Sequence, residues 1–370
     1  MALLWPTDVA PARANAQAGQ AQVATVARVT AISCQAPGMS GCARASATLL
    51  TGPDKGQTAT FTTGNSVGSV HVSPGQQVRV LKNQLPAPVE GAAPSAVEPY
   101  TFLDFQRQGP LLWLAIAFGL VVVLFGRLRG AMSLIGLGAS LVVVFAFMVP
   151  AMLSGEPPIA IAAIGGSAVM ILTIALAHGL GAKSFTAILG TAGSLALTIA
   201  LAVIFSKVVY LTGLSSEESS LLMVGETNVS LQGLVVAGMV IGALGVLDDV
   251  TVSQASTVLA LRRANPSYSF GALYREALDV GHDHVAATVN TLVLAYVGAS
   301  LPILLIFSLG GASFSDALNN EAVAEQIVAM LVGSIGLIAA VPVTTLLTAW
   351  VTTRMDPATL PADSGHGHAH

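Results

Sequence analysis

Seven stretches of this chain are apolar for about the twenty residues that a helix needs to cross a hydrocarbon core roughly 30 Å thick, and nothing else constrains the fold as strongly. They run from Gly109 to Gly126, Ala131 to Leu153, Pro158 to His178, Ser184 to about Tyr210, Leu231 to Asp248, Val285 to Leu309 and Ile327 to Trp350. Inside lipid each backbone N–H and C=O has to find its partner within the protein, so a spanning segment of this length is a helix. The sequence therefore predicts a membrane all-α polytopic bundle of about seven transmembrane helices over residues 109–352, with the lipid bilayer as its surroundings. Charged residues make up 9% of the chain, against about 25% in a soluble domain, which agrees.

One stretch combines this hydrophobicity with concentrated charge. Leu231 to Leu261 begins as a glycine-rich apolar helix, meets the adjacent carboxylates Asp248 and Asp249, and continues through Thr251, Ser253, Gln254, Ser256 and Thr257. An aspartate at the centre of a lipid-exposed helix costs about 2.5 kcal/mol or more. The pair is thus expected at a membrane boundary or in a polar cavity, and a helix entering near Val229 places it at the far boundary.

The loops sort by charge. Arg127, Arg129, Lys183, Arg262, Arg263, Arg275 and Arg354 fall on one side of the seven-span arrangement. The opposite loops, around Gly155, Ser216 and Ser315, carry Glu156, Glu217, Glu218, Glu226, Asp316, Glu321 and Glu325. By the positive-inside rule the first set is cytoplasmic; Arg107 and Lys207 run against it but are outnumbered. The expected location is a bacterial plasma membrane, multi-pass, with residues 353–370 as a cytoplasmic tail containing His366, His368 and His370. A net charge of −4 without any basic cluster argues against a nucleic-acid partner.

The first hundred residues differ. Residues 22–83 read as short strands, QVATVARVTAI, ARASATLLTG, QTATFTT and VHVSPGQQVRVL, in which Val and Thr alternate between Gly and Pro turns. This predicts a small β-barrel or sandwich on the extracytoplasmic side. Its Cys34 and Cys42, the only cysteines, have a spacing that allows a local disulfide, as an oxidising compartment permits; two unpaired core thiols are the alternative. Residues 84–108, rich in Pro and Ala at their start, read as a linker. Residues 1–21 form an apolar remnant and a polar lead-in. Leu3, Leu4, Trp5 and Pro6 look like the outer end of a spanning helix, so another ~15 to 20 apolar residues are expected upstream in the natural protein.

Ionisable groups recur at the cytoplasmic ends of three spans. His178 closes the third, Asp248 and Asp249 close the fifth, and Asp283 and His284 open the sixth. At 100° per residue, Asp283, Ala287 and Asn290 share one face of the sixth span, while His284, Thr288 and Thr291 share its neighbour. Three readings stand: helix caps and anchors, a site that handles ions or protons through hard oxygen ligands and imidazoles, and a metal-dependent enzyme. No His-x-x-x-His or Cys-x-x-Cys spacing supplies a metal set, so the metal stays unassigned and no cofactor or enzymatic activity is expected. The Gly-rich segments 164–167, 190–194 and 238–242 allow close helix packing.

The segments TFLDFQRQGPLLWLA, HGLGAKSFTAILGT, GALGVLDDVTVSQASTV and GHDHVAATVNTLVLAYVGASLP resemble the YibE/F family of multi-span bacterial membrane proteins, over most of residues 20 to 350. The resemblance implies a polytopic helical domain with an outward β-rich region, and little about activity. His282 departs from the family pattern, which has Arg there, and this weakens a His282 and His284 metal pair. The function expected is a permease handling a small ion or solute, with Asp248, Asp249, Asp283 and Asn290 first among its residues, then His178, His284 and Thr291. The alternative is a membrane scaffold whose outer β domain binds a partner. Substrate and oligomeric state are not legible.

Overall fold

A computed structural model describes residues 21–34, 41–64, 71–83, 98–179, 181–216, 219, 221–222, 229–311 and 313–355. The amino-terminal remnant, most of the expected linker and the His-containing tail lie outside the described residues. The chain divides into two compact units between Val121 and Val122, and each is taken by itself.

The first unit is built on five strands, β1 (Gln22–Ala31), β2 (Ala43–Leu49), β3 (Thr58–Thr63), β4 (Gln77–Lys82) and β5 (Tyr100–Phe105), in the antiparallel order β3-β2-β1-β4-β5. Their period-two alternation works as expected: Ala24 and Val26, Ala59 and Phe61, and Val78 and Val80 point into one buried core. The sheet curls so that its two edge strands approach. Glu98, just before β5, accepts hydrogen bonds from both the backbone N–H and the hydroxyl of Thr62 on β3, and the rings of Phe61 and Phe102 lie 6.0 Å apart. β5 lies within residues 84–108, read above as a linker. The Pro and Ala of its first part hid the alternation of Tyr100, Phe102 and Asp104 that follows.

Cys34 and Cys42 are joined as a disulfide with their Cα atoms 5.3 Å apart. Next to the sheet, Asp54 accepts hydrogen bonds from Lys82 Nζ at 2.8 Å and Tyr100 Oη at 3.0 Å. The Lys82 ammonium, with help from Tyr100, holds the Asp54 carboxyl below the usual carboxylate range.

Six helical stretches of the described chain are long and apolar enough to cross a membrane: α1 (Gln108–Val143) running through a π-helical turn (Val144–Met148) into α2 (Val149–Leu153), then α3 (Pro158–His178), α4 (Ala182–Val208), α5 (Leu231–Ala264), α6 (Phe270–Leu309) and, after the short α7 (Phe314–Asn319), α8 (Glu321–Arg354). The first stretch is two spans. Arg127, at φ 51° and ψ −131°, breaks the helix. A Cβ on Gly130 would then press on the carbonyl oxygen of Val122, eight residues back, which a straight helix would hold about 12 Å away. The chain turns back on itself there, in keeping with the seven spans expected.

Two spans are longer than expected. α5 continues sixteen residues past Asp248, and α6 begins at Phe270, fifteen residues before Val285. Asp248 therefore sits near the middle of a helix about 50 Å long, not at its end. Of the polar residues that follow it, Thr251 and Gln254 are buried within the protein. Thr251 and Thr191 on α4 are hydrogen-bonded at 2.6 Å, and Gln254 Nε2 donates to Thr345 Oγ1 on α8 and to the carbonyl of Ala277 on α6, both at 2.7 Å. Thr348 on α8 donates to Thr186 on α4 at 3.0 Å.

Small residues bring these helices together. Gly190 on α4 meets Thr344, Gly336 on α8 meets Thr198, and Gly281 on α6 meets Val341 and Gln254, the close backbone approach on which helix association in lipid depends. The outer faces are apolar and exposed, as at Phe125, Leu128, Leu294 and Ile306, which is the surface a bilayer covers.

Candidate functional site

Between the second half of α1 and helices α3, α5 and α6 lies a cavity of about 880 Å³. Its position follows from side-chain periodicity. On α5, Gly245, Asp249, Ser253 and Ser256 fall on one side at three- and four-residue intervals, with Asp248 turned from them toward α3. α6 contributes His284, Thr288 and Thr291; α3 contributes Thr173, Ala177 and His178; α1 contributes Ser133, Gly136 and Ser140. Lys183 at the start of α4 completes one end, its Nζ lying 3.5 Å from His178 Nδ1.

Asp248 is the least satisfied group in this wall. Its Oδ2 lies 3.0 Å from Thr173 Oγ1, but that hydroxyl also lies 2.9 Å from the carbonyl of Val169, and its single proton cannot serve both fully. Oδ1 is buried and has no hydrogen-bond partner among the described residues. Leaving a buried carboxylate oxygen unpaired costs about 1–3 kcal/mol, more when it is charged. Asp249, one residue on, is exposed to the cavity.

Five of the seven residues singled out by sequence line this space: Asp248, Asp249, His178, His284 and Thr291. Asp283 and Asn290 do not. They are exposed on another face of α6, because the cavity takes the His284, Thr288 and Thr291 stripe of the two that periodicity distinguished. Sequence reasoning passed over Thr173, Ser133 and Ser140. The two serines, seven residues apart on an otherwise apolar helix, were the available signal. Among the described residues no three His, Cys, Asp or Glu side chains come close enough to hold a metal ion.

The glycine segments divide. Gly165, Gly166 and Gly190 face neighbours a Cβ would press on, whereas a Cβ on Gly238 or Gly245 would meet nothing within 4 Å. Close packing, expected for residues 238–242, does not describe that part of α5.

A model of the YibE/F-like protein family matches residues 114–354. The chain belongs to the YibE/F-like family. The match covers the helices from Leu114 onward and every cavity residue named above, while strands β1 to β5 lie outside it. No curated protein and no solved structure matches the chain. Family membership and the apolar helices together make this YibE/F-like chain an integral membrane protein.

Proposed function

We propose that this YibE/F-like protein is a permease for a small cation, with the cavity at Asp248 as its binding site. The observation that carries the reading is the buried Oδ1 of Asp248, unpaired among the described residues, on the wall of a cavity of about 880 Å³. A carboxylate kept from water is stabilised by whatever brings positive charge to it, a proton or a hard cation with oxygen ligands. Thr173, Thr288, Thr291, Ser253 and Ser256 add hydroxyl oxygens suited to replace part of a hydration shell. Asp249 adds a second carboxylate one residue away, and His178 and His284 supply imidazole nitrogens. The site binds and releases; no bond-making step is assigned to it.

The end of the bundle that carries Lys183, Arg262 and Arg263 is the cytoplasmic one in this reading, by the positive-inside rule, in a bacterial plasma membrane. The chain can be reconstituted in vesicles and its uptake of Na⁺, K⁺, Mg²⁺ and protons compared with that of Asp248→Asn. Wild-type uptake of one of these ions, lost in the variant, is the expected result. Uptake by both proteins at the protein-free rate would reject the proposal and leave a membrane scaffold as the better account.

A further inference from the structure

A second cavity, about 450 Å³, lies between α5, α6 and α8 and is lined by Gly238, Tyr296, Glu325 and Gln326. It is at the other end of α5 from Lys183 and Arg262, near Ser215, whose hydroxyl donates to Glu325 Oε2 at 2.9 Å. Both cavities border α5. Gly238, Gly242, Gly245 and Asp249 fall within about 60° of one another around α5, and all four are exposed. Gly238 lines the Glu325 cavity, and Gly245 and Asp249 line the Asp248 cavity. Gly238 and Gly245 are two turns apart, about 10 Å along the axis. Within that interval the hydroxyl of Tyr296 lies 3.5 Å from where a Cβ on Gly242 would be.

We infer that the Glu325 cavity is the opposite mouth of one passage along α5, that Glu325 receives the cation there, and that Tyr296 is the barrier between this mouth and the Asp248 site. The cation class rests on the permease reading, whereas the two mouths and the barrier rest on geometry alone. Gly238 and Gly245, where an added Cβ would meet nothing within 4 Å, leave a groove along this face of α5. A tyrosine is wide enough to close it at one level and can clear it by rotation about χ1.

The test uses thiol accessibility, which needs no transport. The native cysteines are joined in a disulfide, so a single introduced cysteine is the reactive one, and positions 238 and 245 have room for it. Gly238→Cys and Gly245→Cys are each treated with a membrane-impermeant maleimide in right-side-out and inside-out vesicles. The expected result is labelling of the two positions from opposite sides, with Tyr296→Ala making Gly245→Cys reactive from both and Tyr296→Phe leaving it reactive from one. Labelling of both positions from the same side overturns the passage. An unchanged pattern in Tyr296→Ala that elutes as the wild type does on gel filtration overturns the barrier, and where Tyr296→Ala does not fold, Tyr296→Leu is read the same way. Glu325→Gln should lower uptake of the Na⁺, K⁺ or Mg²⁺ that wild type moves by about tenfold, since one carboxylate's attraction at the mouth is gone; unchanged uptake removes Glu325 from the path. Failure of the permease reading shows instead as wild-type flux at the protein-free rate with the labelling pattern intact.

Discussion

Replacing glycine by alanine at two places on these helices should move stability in opposite directions. At Gly190 the new Cβ would lie 3.0 Å from Thr344 Cβ, 3.3 Å from Thr344 Cα, and closer still to its hydroxyl. Thr344 is fully buried and stiff at χ1, so α4 and α8 have to separate. Overpacking of this kind costs about 1–3 kcal/mol, occasionally more. At Gly245 nothing lies within 4 Å, and the substitution contributes only the helix preference of alanine over glycine, about 0.5–1 kcal/mol of stabilisation. That preference is common to both positions, so the two variants should differ by roughly 1–3 kcal/mol, which is about a fivefold to more than a hundredfold difference in the folded-to-unfolded ratio. Reversible unfolding of the purified chain in mixed detergent micelles, followed by circular dichroism, measures this directly. Equal destabilisation by Gly190→Ala and Gly245→Ala would mean that α5 is packed at Gly245 after all, and the groove drawn along it would not exist.

Gln254→Leu should destabilise the bundle by about 1–3 kcal/mol, because it removes two buried hydrogen bonds joining α5 to α6 and α8, each worth roughly 0.6 to 2 kcal/mol in a membrane protein; unfolding unchanged within error would show that the contacts are dispensable. In the β unit, the depressed carboxyl of Asp54 stabilises the fold above the unfolded carboxylate range near 3.9 and loses that contribution as pH falls through its lower folded value. The raised ammonium of Lys82 loses its share only as pH climbs above the ordinary lysine range. Amide exchange of β4 in the full chain should thus show protection that weakens on acidification below about pH 4, and Asp54→Asn should flatten that limb; an acid limb of the same size in the variant would assign it to other carboxylates.

The span count was legible because lipid leaves the backbone little choice: twenty apolar residues are a helix whatever packs beside them. The ends of α5 and α6 were not, and the reason is chemical. Asp248, Asp249, Thr251, Ser253 and Gln254 look like the start of an aqueous loop when read singly. In the fold, Thr251 and Gln254 answer Thr191 and Thr345 on neighbouring helices, and those partners lie 60 and 91 positions away in the chain. Pairing at such separation leaves no local trace. β5 was missed for the opposite reason, since its alternation of Tyr100, Phe102 and Asp104 is local and plain but short, and the proline-rich lead-in drew attention from it.

The site shows the same division between what periodicity can and cannot settle. Spacing separated two faces of α6, one with Asp283 and Asn290 and one with His284, Thr288 and Thr291, and nothing in α6 alone could choose between them. The choice is made by α5. Its stripe of Gly238, Gly242, Gly245 and Asp249 has no bulk with which to pack, so the helix beside it cannot close on it, and the α6 face turned toward that gap becomes wall. Glycines that look like an invitation to tight packing therefore do two things in one bundle. Gly190, Gly281 and Gly336 let threonines, a valine and a glutamine approach and seal α4, α5, α6 and α8 together. Gly238 and Gly245 have no such neighbour; Gly238 lines the cavity that holds Glu325, and Gly245 the one that holds the unpaired oxygen of Asp248.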